Sequence, residues 1–134
     1  MIVIDSSALA KYLLREEGWR GVEKYLLKPT YSIDHIVKEV SNAIWKHAIV
    51  HGYISKDMAL NVYSLLKRLI EEEIIVLETQ EKYIDKAIEI ALDNKITVYD
   101  ALYIAQAINY DELVTSDKVQ AIVAEKYGIS VNIV

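Results

Sequence analysis

Apolar and polar positions along this chain of 134 residues switch between two periods, one suited to strands and one to helices. Ile2-Val3-Ile4 is a short β-favouring run. It is closed by Asp5-Ser6-Ser7, residue types that favour helix caps, and Ala8 to Leu14 then reads as helix. The same order returns at the far end. Leu113-Val114-Thr115 predicts a strand, Ser116-Asp117 a cap, Lys118 to Tyr127 a helix stopped by Gly128, and Ser130 to Val134 a last strand.

Between these ends, Tyr31-Ser32-Ile33 and Ile74 to Leu77 supply two more strand runs. Ile36 to Val50 puts Ile36, Val40, Ala43, Ile44, His47 and Ala48 on one helical stripe that ends near Gly52. A second helix starts at Ser55 or Lys56 and ends in Glu71-Glu72-Glu73. Gln80 to Leu92 predicts an amphipathic helix, and Thr97 to Ala107 a helix apolar enough to be buried. Lys28-Pro29-Thr30 is a turn, and no repeat or linker interrupts the strand-helix rhythm. Strands interleaved with helices predict an α/β sandwich around a parallel sheet, because parallel neighbours need crossover connections. The length predicts one domain over residues 1–134.

Composition narrows the function classes. With no cysteine, a disulfide or a thiolate metal site is excluded, so any metal must meet oxygen or imidazole. No apolar run is long enough to cross a bilayer, and Asp5 stands where a signal peptide would carry basic residues; a cytoplasmic protein is the expectation. The net charge of −5 argues against general coating of nucleic acid. It leaves room for a nucleic-acid enzyme, since divalent cations held by some of the acids would reverse the local field.

In a parallel sheet the carboxyl ends of all strands share one edge, where ligands bind in open α/β folds. Asp5 and Asp117, just past their strands, belong to that edge. A crossover helix runs back antiparallel, so Asp100, in the first turn of its helix, and Glu39, about one turn into the helix after Tyr31-Ser32-Ile33, start there too. Each acid also has a plain structural reading. Asp5 and Asp117 suit N-caps, Thr97-x-x-Asp100 resembles a capping box, and Glu39 fits a solvated stripe with His35, Asn42 and Lys46. The joint placement is what points to chemistry. Two carboxylates about 4 Å apart repel by roughly 4 kcal/mol at an effective dielectric near 20, so such a cluster calls for a hard divalent ion. All-oxygen ligation suits Mg²⁺ or Mn²⁺.

Four segments, "IVIDSSALAKYLLREEG" with Asp5, "IVKEVSNAI" with Glu39 and Asn42, "TVYDALYIAQA" with Asp100 and "LVTSDKVQA" with Thr115 and Asp117, together resemble the PIN-domain ribonucleases. Among these the chain is similar to the toxins of VapBC-type toxin-antitoxin pairs. The resemblance implies an α/β fold of three layers, α/β/α, with about five mostly parallel strands wrapped by about seven helices. It implies Asp5, Glu39, Asp100 and Asp117 as catalytic residues holding one or two Mg²⁺ or Mn²⁺ ions, an RNA substrate, an antitoxin partner and a homodimer, with no membrane. Metal-activated water would then cut the phosphodiester, leaving 5′-phosphate and 3′-hydroxyl ends.

Ser6, Asn42, Thr115 and Ser116 are candidates to orient ligands or water, a role that capping and helix polarity explain as well. Lys11 and Arg15, one turn apart on the first predicted helix, are candidate phosphate contacts, against the alternative of a solvated cationic face. His47 and His51 have the i, i+4 spacing of a zinc motif, but Ala48 stands where that motif needs glutamate, so a surface pair is the expectation. Trp19, Trp45 and most tyrosines are read as core or interface packing. The rival readings are another Mg²⁺-using phosphotransfer domain, which wants a further acid beside Asp5, and a fold of this kind kept for RNA processing or binding outside a toxin pair.

Overall fold

The computed structural model describes all residues from Met1 to Val134. Five strands form one sheet: β1 (Val3–Ile4), β2 (Thr30–Ile33), β3 (Ile75–Glu78), β4 (Glu112–Thr115) and β5 (Ser130–Ile133). Their order is β3-β2-β1-β4-β5 and every pairing is parallel. Val3 and Ile4 are both fully buried, so the shortest strand is also the central one, and its apolar run suits a strand covered on both faces.

Seven helices surround the sheet: α1 (Ser6–Leu13), α2 (Arg20–Glu23), α3 (Ile36–Trp45), α4 (Lys56–Glu71), α5 (Ile84–Asn94), α6 (Val98–Ile108) and α7 (Lys118–Lys126). Helices α1, α3 and α4 pack on one another, as do α5, α6 and α7, giving a helical layer on each side. From β1 the chain moves outward through β2 to β3, then returns to β4 on the opposite flank of β1. The reversal places a crevice at the carboxyl ends of β1 and β4, the topological switch point. Asp5 and Asp117 follow those two strands.

The caps are those expected. Asp5, Thr97 and Asp117 accept from the first-turn amides of α1, α6 and α7, and Ser55 caps α4. Gly128, at φ +78°, ends α7 in a conformation that costs glycine little. Helix α6 is buried from Ala101 through Ala107, and its alanines allow close approach to the sheet.

Some details depart from the pattern. The segment Arg20–Glu23, followed by a 3₁₀ turn at Lys24–Leu27, was not expected to be helical; it buries Val22 alone, too little for a periodic signal. The stripe from Ile36 to Val50 leaves α geometry at Trp45 for a π turn over Lys46–Val50, where His51 N–H donates to the Lys46 carbonyl. A π turn keeps the same residues apolar, so hydropathy does not register it. Gln80–Lys82 is a 3₁₀ turn, and α5 begins only after Tyr83, which is buried. Trp45 is not core but exposed, and Trp19 lies half-buried beneath Arg15 and Arg20.

Tyr83 is held by a hub at Glu78, the last residue of β3. Glu78 Oε1 accepts from Tyr83 Oη at 2.7 Å, Gln106 Nε2 at 3.0 Å and Tyr110 Oη at 3.0 Å; Oε2 accepts from Lys82 Nζ at 2.7 Å. Burial works against its charge, but these donors outweigh it and draw the pKa down to about 2. A depressed carboxylate stabilises the fold above its unfolded pKa and loses that contribution as pH falls toward the folded value. Glu78→Gln is therefore expected to cost about 2 kcal/mol at pH 7, with the deficit shrinking between pH 5 and pH 2 in urea titrations.

Candidate active site

Asp5 leaves β1 in extended conformation and turns into α1, and the residue is only 3% exposed. Its Oδ1 accepts from Ser7 Oγ at 2.7 Å and the Ala8 amide at 3.0 Å. Its Oδ2 accepts from Thr115 Oγ1, and Gln120 Nε2 lies 3.4 Å away. Burial pushes the pKa up to about 6 against the pull of the Thr115, Ala8 and Ser7 donors, and the charge of Asp117 adds to the rise.

Asp117 caps α7, its Oδ1 accepting from the Val119 amide at 2.8 Å and the Gln120 amide at 3.1 Å. Its own amide donates to Thr115 Oγ1 at 3.0 Å, so Thr115 links the two aspartates. Asp100 stands in the first turn of α6, half-buried, where Thr97 Oγ1 accepts from its amide. Burial raises the Asp100 pKa first, and the charges of Asp117 and then Glu39 raise it further. On α3, Glu39 Oε1 accepts from Tyr103 Oη at 2.6 Å and lies 2.9 Å from His35 Nε2, although that approach lacks good hydrogen-bond geometry. Burial opposes the Glu39 charge, but His35 and Tyr103 prevail and hold its pKa below the usual range.

Asp117 thus acts electrostatically on both Asp5 and Asp100, and Glu39 acts on Asp100. Asp117 is the link between the Asp5 and Asp100 segments, and Asp100 the link to Glu39. Of these acids only Glu39 has a side-chain partner able to carry positive charge, His35; no lysine or arginine forms an ion pair with any of them. The acids do not stand as a finished metal cage, since no three acidic or imidazole side chains converge on one point. Asp5, Asp117 and Glu39 instead turn oxygens toward protein donors.

The comparisons with known proteins fall in line with this geometry. A sequence profile of the PIN domain matches residues 2–126, a span that contains all four acids. The chain belongs to the PIN-domain family. It is also similar to Ribonuclease VapC3 of Pyrobaculum aerophilum, with 30% identity over 108 residues, 79% of this chain and 80% of that relative. The expected α/β fold is the one observed, except that the sheet is parallel throughout rather than mostly so.

Within this PIN domain the other candidate residues are placed unevenly. Ser6 and Asn42 line a groove beside Glu39. Thr115 clamps Asp5, whereas Ser116 Oγ turns away to the Val134 carbonyl at 3.0 Å. Lys11 Nζ donates to that same carbonyl at 2.9 Å. Arg15 does not share a helical face with Lys11: α1 ends at Leu13, Arg15 adopts φ +55°, and its guanidinium lies 3.9 Å from the Trp19 ring centre. The helix runs out two residues before the second cation, which stacks instead. His47 and His51 form an aromatic group with Tyr53, and none of the four acids is among its partners.

Sequence reasoning gave no part in the site to Ser7, read only as a cap type, to His35, read only as a neighbour of Glu39 on a solvated stripe, or to Gln120 and Tyr103. The i, i+2 spacing of Ser7 from Asp5 and the i, i+4 spacing of His35 from Glu39 were available signals. Gln120 and Tyr103 reach their partners across the fold.

A carboxylate whose folded pKa is raised destabilises the folded state as pH climbs through the interval from 3.8 to about 6. Asp5→Asn removes that charge while keeping a good cap. In EDTA the variant is expected to be more stable than wild type by about 2 kcal/mol at pH 7.5 and no more stable below pH 4, read from thermal unfolding across that range.

Proposed function

We propose that this PIN domain is a divalent-metal-dependent endoribonuclease that hydrolyses RNA phosphodiester bonds and serves as the toxin of a toxin-antitoxin pair. One observation carries the reading. Asp5, Glu39, Asp100 and Asp117, from four separate segments, are linked by repulsion near the switch-point edge, Asp117 with Asp5 and Asp100 and Glu39 with Asp100, and no lysine or arginine forms an ion pair with any of them. Membership of the PIN family and similarity to a ribonuclease support the same conclusion.

The donor set fits a hard divalent cation, because it is all oxygen and its members raise one another's proton affinity. Asp5, Glu39, Asp100 and Asp117 would hold one or two Mg²⁺ or Mn²⁺ ions. Such a cation supplies compensating charge, polarises the phosphodiester and acidifies water.

The chain's own groups set the stage for that chemistry. Ser7, Thr115 and the Ala8 amide fix Asp5 in one rotamer, so its position costs no ordering when the substrate arrives. Tyr103 and His35 keep Glu39 ionised, the form that binds cations and accepts protons. Water attacks phosphorus, the bond to the 3′ oxygen breaks, and that oxygen takes a proton. The products carry 5′-phosphate and 3′-hydroxyl ends. Water rather than the ribose 2′-hydroxyl is the nucleophile in this reading because carboxylates line the edge and its one imidazole, His35, is buried against Glu39.

The partner reading is supported by an exposed apolar groove of about 360 Å³ between α3 and α4, lined by Ile44, Trp45, Ile49, Ala59, Leu60 and Tyr63. An antitoxin segment is the occupant in this reading, and a second copy of the chain covers Ile84, Ile88 and Leu92, exposed along one face of α5. No helix is long and apolar enough to cross a membrane, and the reading places the protein in the cytoplasm with its RNA.

Incubation of RNA with Mn²⁺ is expected to give cleavage that EDTA abolishes and that Asp5→Asn and Asp100→Asn each reduce by roughly a hundredfold or more. Products ending in 2′,3′-cyclic phosphate, or equal cleavage by wild type and both variants, would contradict it.

A further inference from the structure

Beside Glu39 the edge opens into a groove of about 470 Å³ whose walls include Ser6, Lys38, Asn42 and Tyr99. The volume lies within the roughly 300–1,000 Å³ of small-ligand sites. Tyr99 adjoins Asp100 in the first turn of α6 and is 63% exposed. It is not a loose surface ring. Tyr103, fully buried, packs against His35 with ring centres 4.9 Å apart and planes tilted by 36°, and His35 packs against Tyr99 at 5.9 Å and 47°. Three rings therefore step from the core to the mouth of the groove, and Tyr99 is the outermost. His35 Nδ1 is buried without a hydrogen-bond partner, so the imidazole serves there as a packing surface behind Tyr99.

An aromatic ring backed by the core and open on its other side is a stacking platform whose ordering cost is already met. Lys38 precedes Glu39 on α3, is exposed, and forms no ion pair. It is a free cation on the wall of a groove that otherwise repels phosphate. Resting on the nuclease reading above, we propose that this groove is a nucleotide subsite in which Tyr99 stacks on an unpaired base next to the cleaved bond and Lys38 holds a phosphate. A base inside a duplex has both faces covered by its neighbours and offers none to Tyr99. The subsite therefore selects single-stranded or looped RNA over paired RNA.

Fluorescence anisotropy of a labelled single-stranded RNA of about 12 nucleotides, with Mg²⁺ and in the Asp5→Asn background so that the probe stays intact, tests this. Tyr99→Ala is expected to weaken binding about tenfold or more, while Tyr99→Trp and Tyr99→Phe stay within about threefold of the parent. Lys38→Ala lowers affinity and reduces the slope of log affinity against log salt by about one. An abasic site at one position of the probe costs the parent about as much as losing the ring, and costs Tyr99→Ala nothing further. The matching duplex binds at least tenfold more weakly. Because Tyr99 is exposed, its variants keep the parent's thermal midpoint, which separates ring loss from unfolding.

Equal affinity of Tyr99→Ala and parent overturns the subsite, as does an abasic penalty that persists without the ring, or a duplex that binds as tightly as the single strand. Cleavage with Asp5 intact distinguishes the two proposals. If RNA is cut but Tyr99→Ala leaves KM unchanged, the subsite falls and the nuclease stands. If ring-dependent binding holds and no RNA is cut, the nuclease falls and the subsite stands as a binding site.

Discussion

A carboxylate placed where water cannot reach it is the constraint around which this structure is arranged. Asp5 sits at the end of the central strand, and an unsolvated carboxylate needs donors on both oxygens. They come from three directions: Ser7 and the Ala8 amide at the start of α1, Thr115 at the end of β4, and Gln120 on α7. Satisfying one side chain thus joins the opening strand-helix unit to the closing one. Ser7 strengthens the joint by accepting from the Ser116 amide at 2.9 Å, and the Asp5 amide donates to the Val114 carbonyl across the strands.

The acids at this edge differ in how their charge is met, and the difference separates scaffold from site. Glu78 also ends a strand at the same edge, yet four donors including Lys82 surround it, and its pKa falls to about 2. It is a finished structural element that ties α5 and α6 to the sheet. Asp5 and Asp100 lie in the opposite condition, with pKa values raised by burial and by neighbouring carboxylates. Glu39 stands between them, kept ionised by His35 and Tyr103. Position at the strand ends is therefore insufficient to mark a functional acid. The missing counter-charge is the sign, since a fold gains nothing from leaving repulsion unbalanced unless another cation is to enter.

Capping and function are not alternatives here. Asp5 and Asp117 both cap helices through Oδ1. A cap orients the carboxylate at the positive end of a helix and fixes its rotamer, and the amide it satisfies would otherwise be orphaned. The second oxygen of each remains for other work; that of Asp5 is given to Thr115. Asp100 reverses the relation, since Thr97 caps α6 and the aspartate sits inside the first turn.

What the chain determined by itself was local and periodic. Alternation between strand runs and helical stripes, with Asp5, Ser55, Thr97 and Asp117 before the helices and Gly128 after one, was enough for the order of the elements and for the edge at which the acids gather, because caps and periods act over a few residues. It was silent on Arg20–Glu23 and on the fate of Arg15, segments too short to carry a period that are settled by packing against α1 and Trp19, and on the π turn after Trp45, which keeps the same residues apolar. Only the tertiary structure decided which groups hold the acids. Thr115 and Gln120 reach Asp5 from more than a hundred residues away, Tyr103 reaches Glu39 from α6, and the ladder from Tyr103 through His35 to Tyr99 joins α6 to the residue that caps α3. Such contacts depend on sheet order and helix placement, and pKa values depend on burial, which no spacing in the chain records.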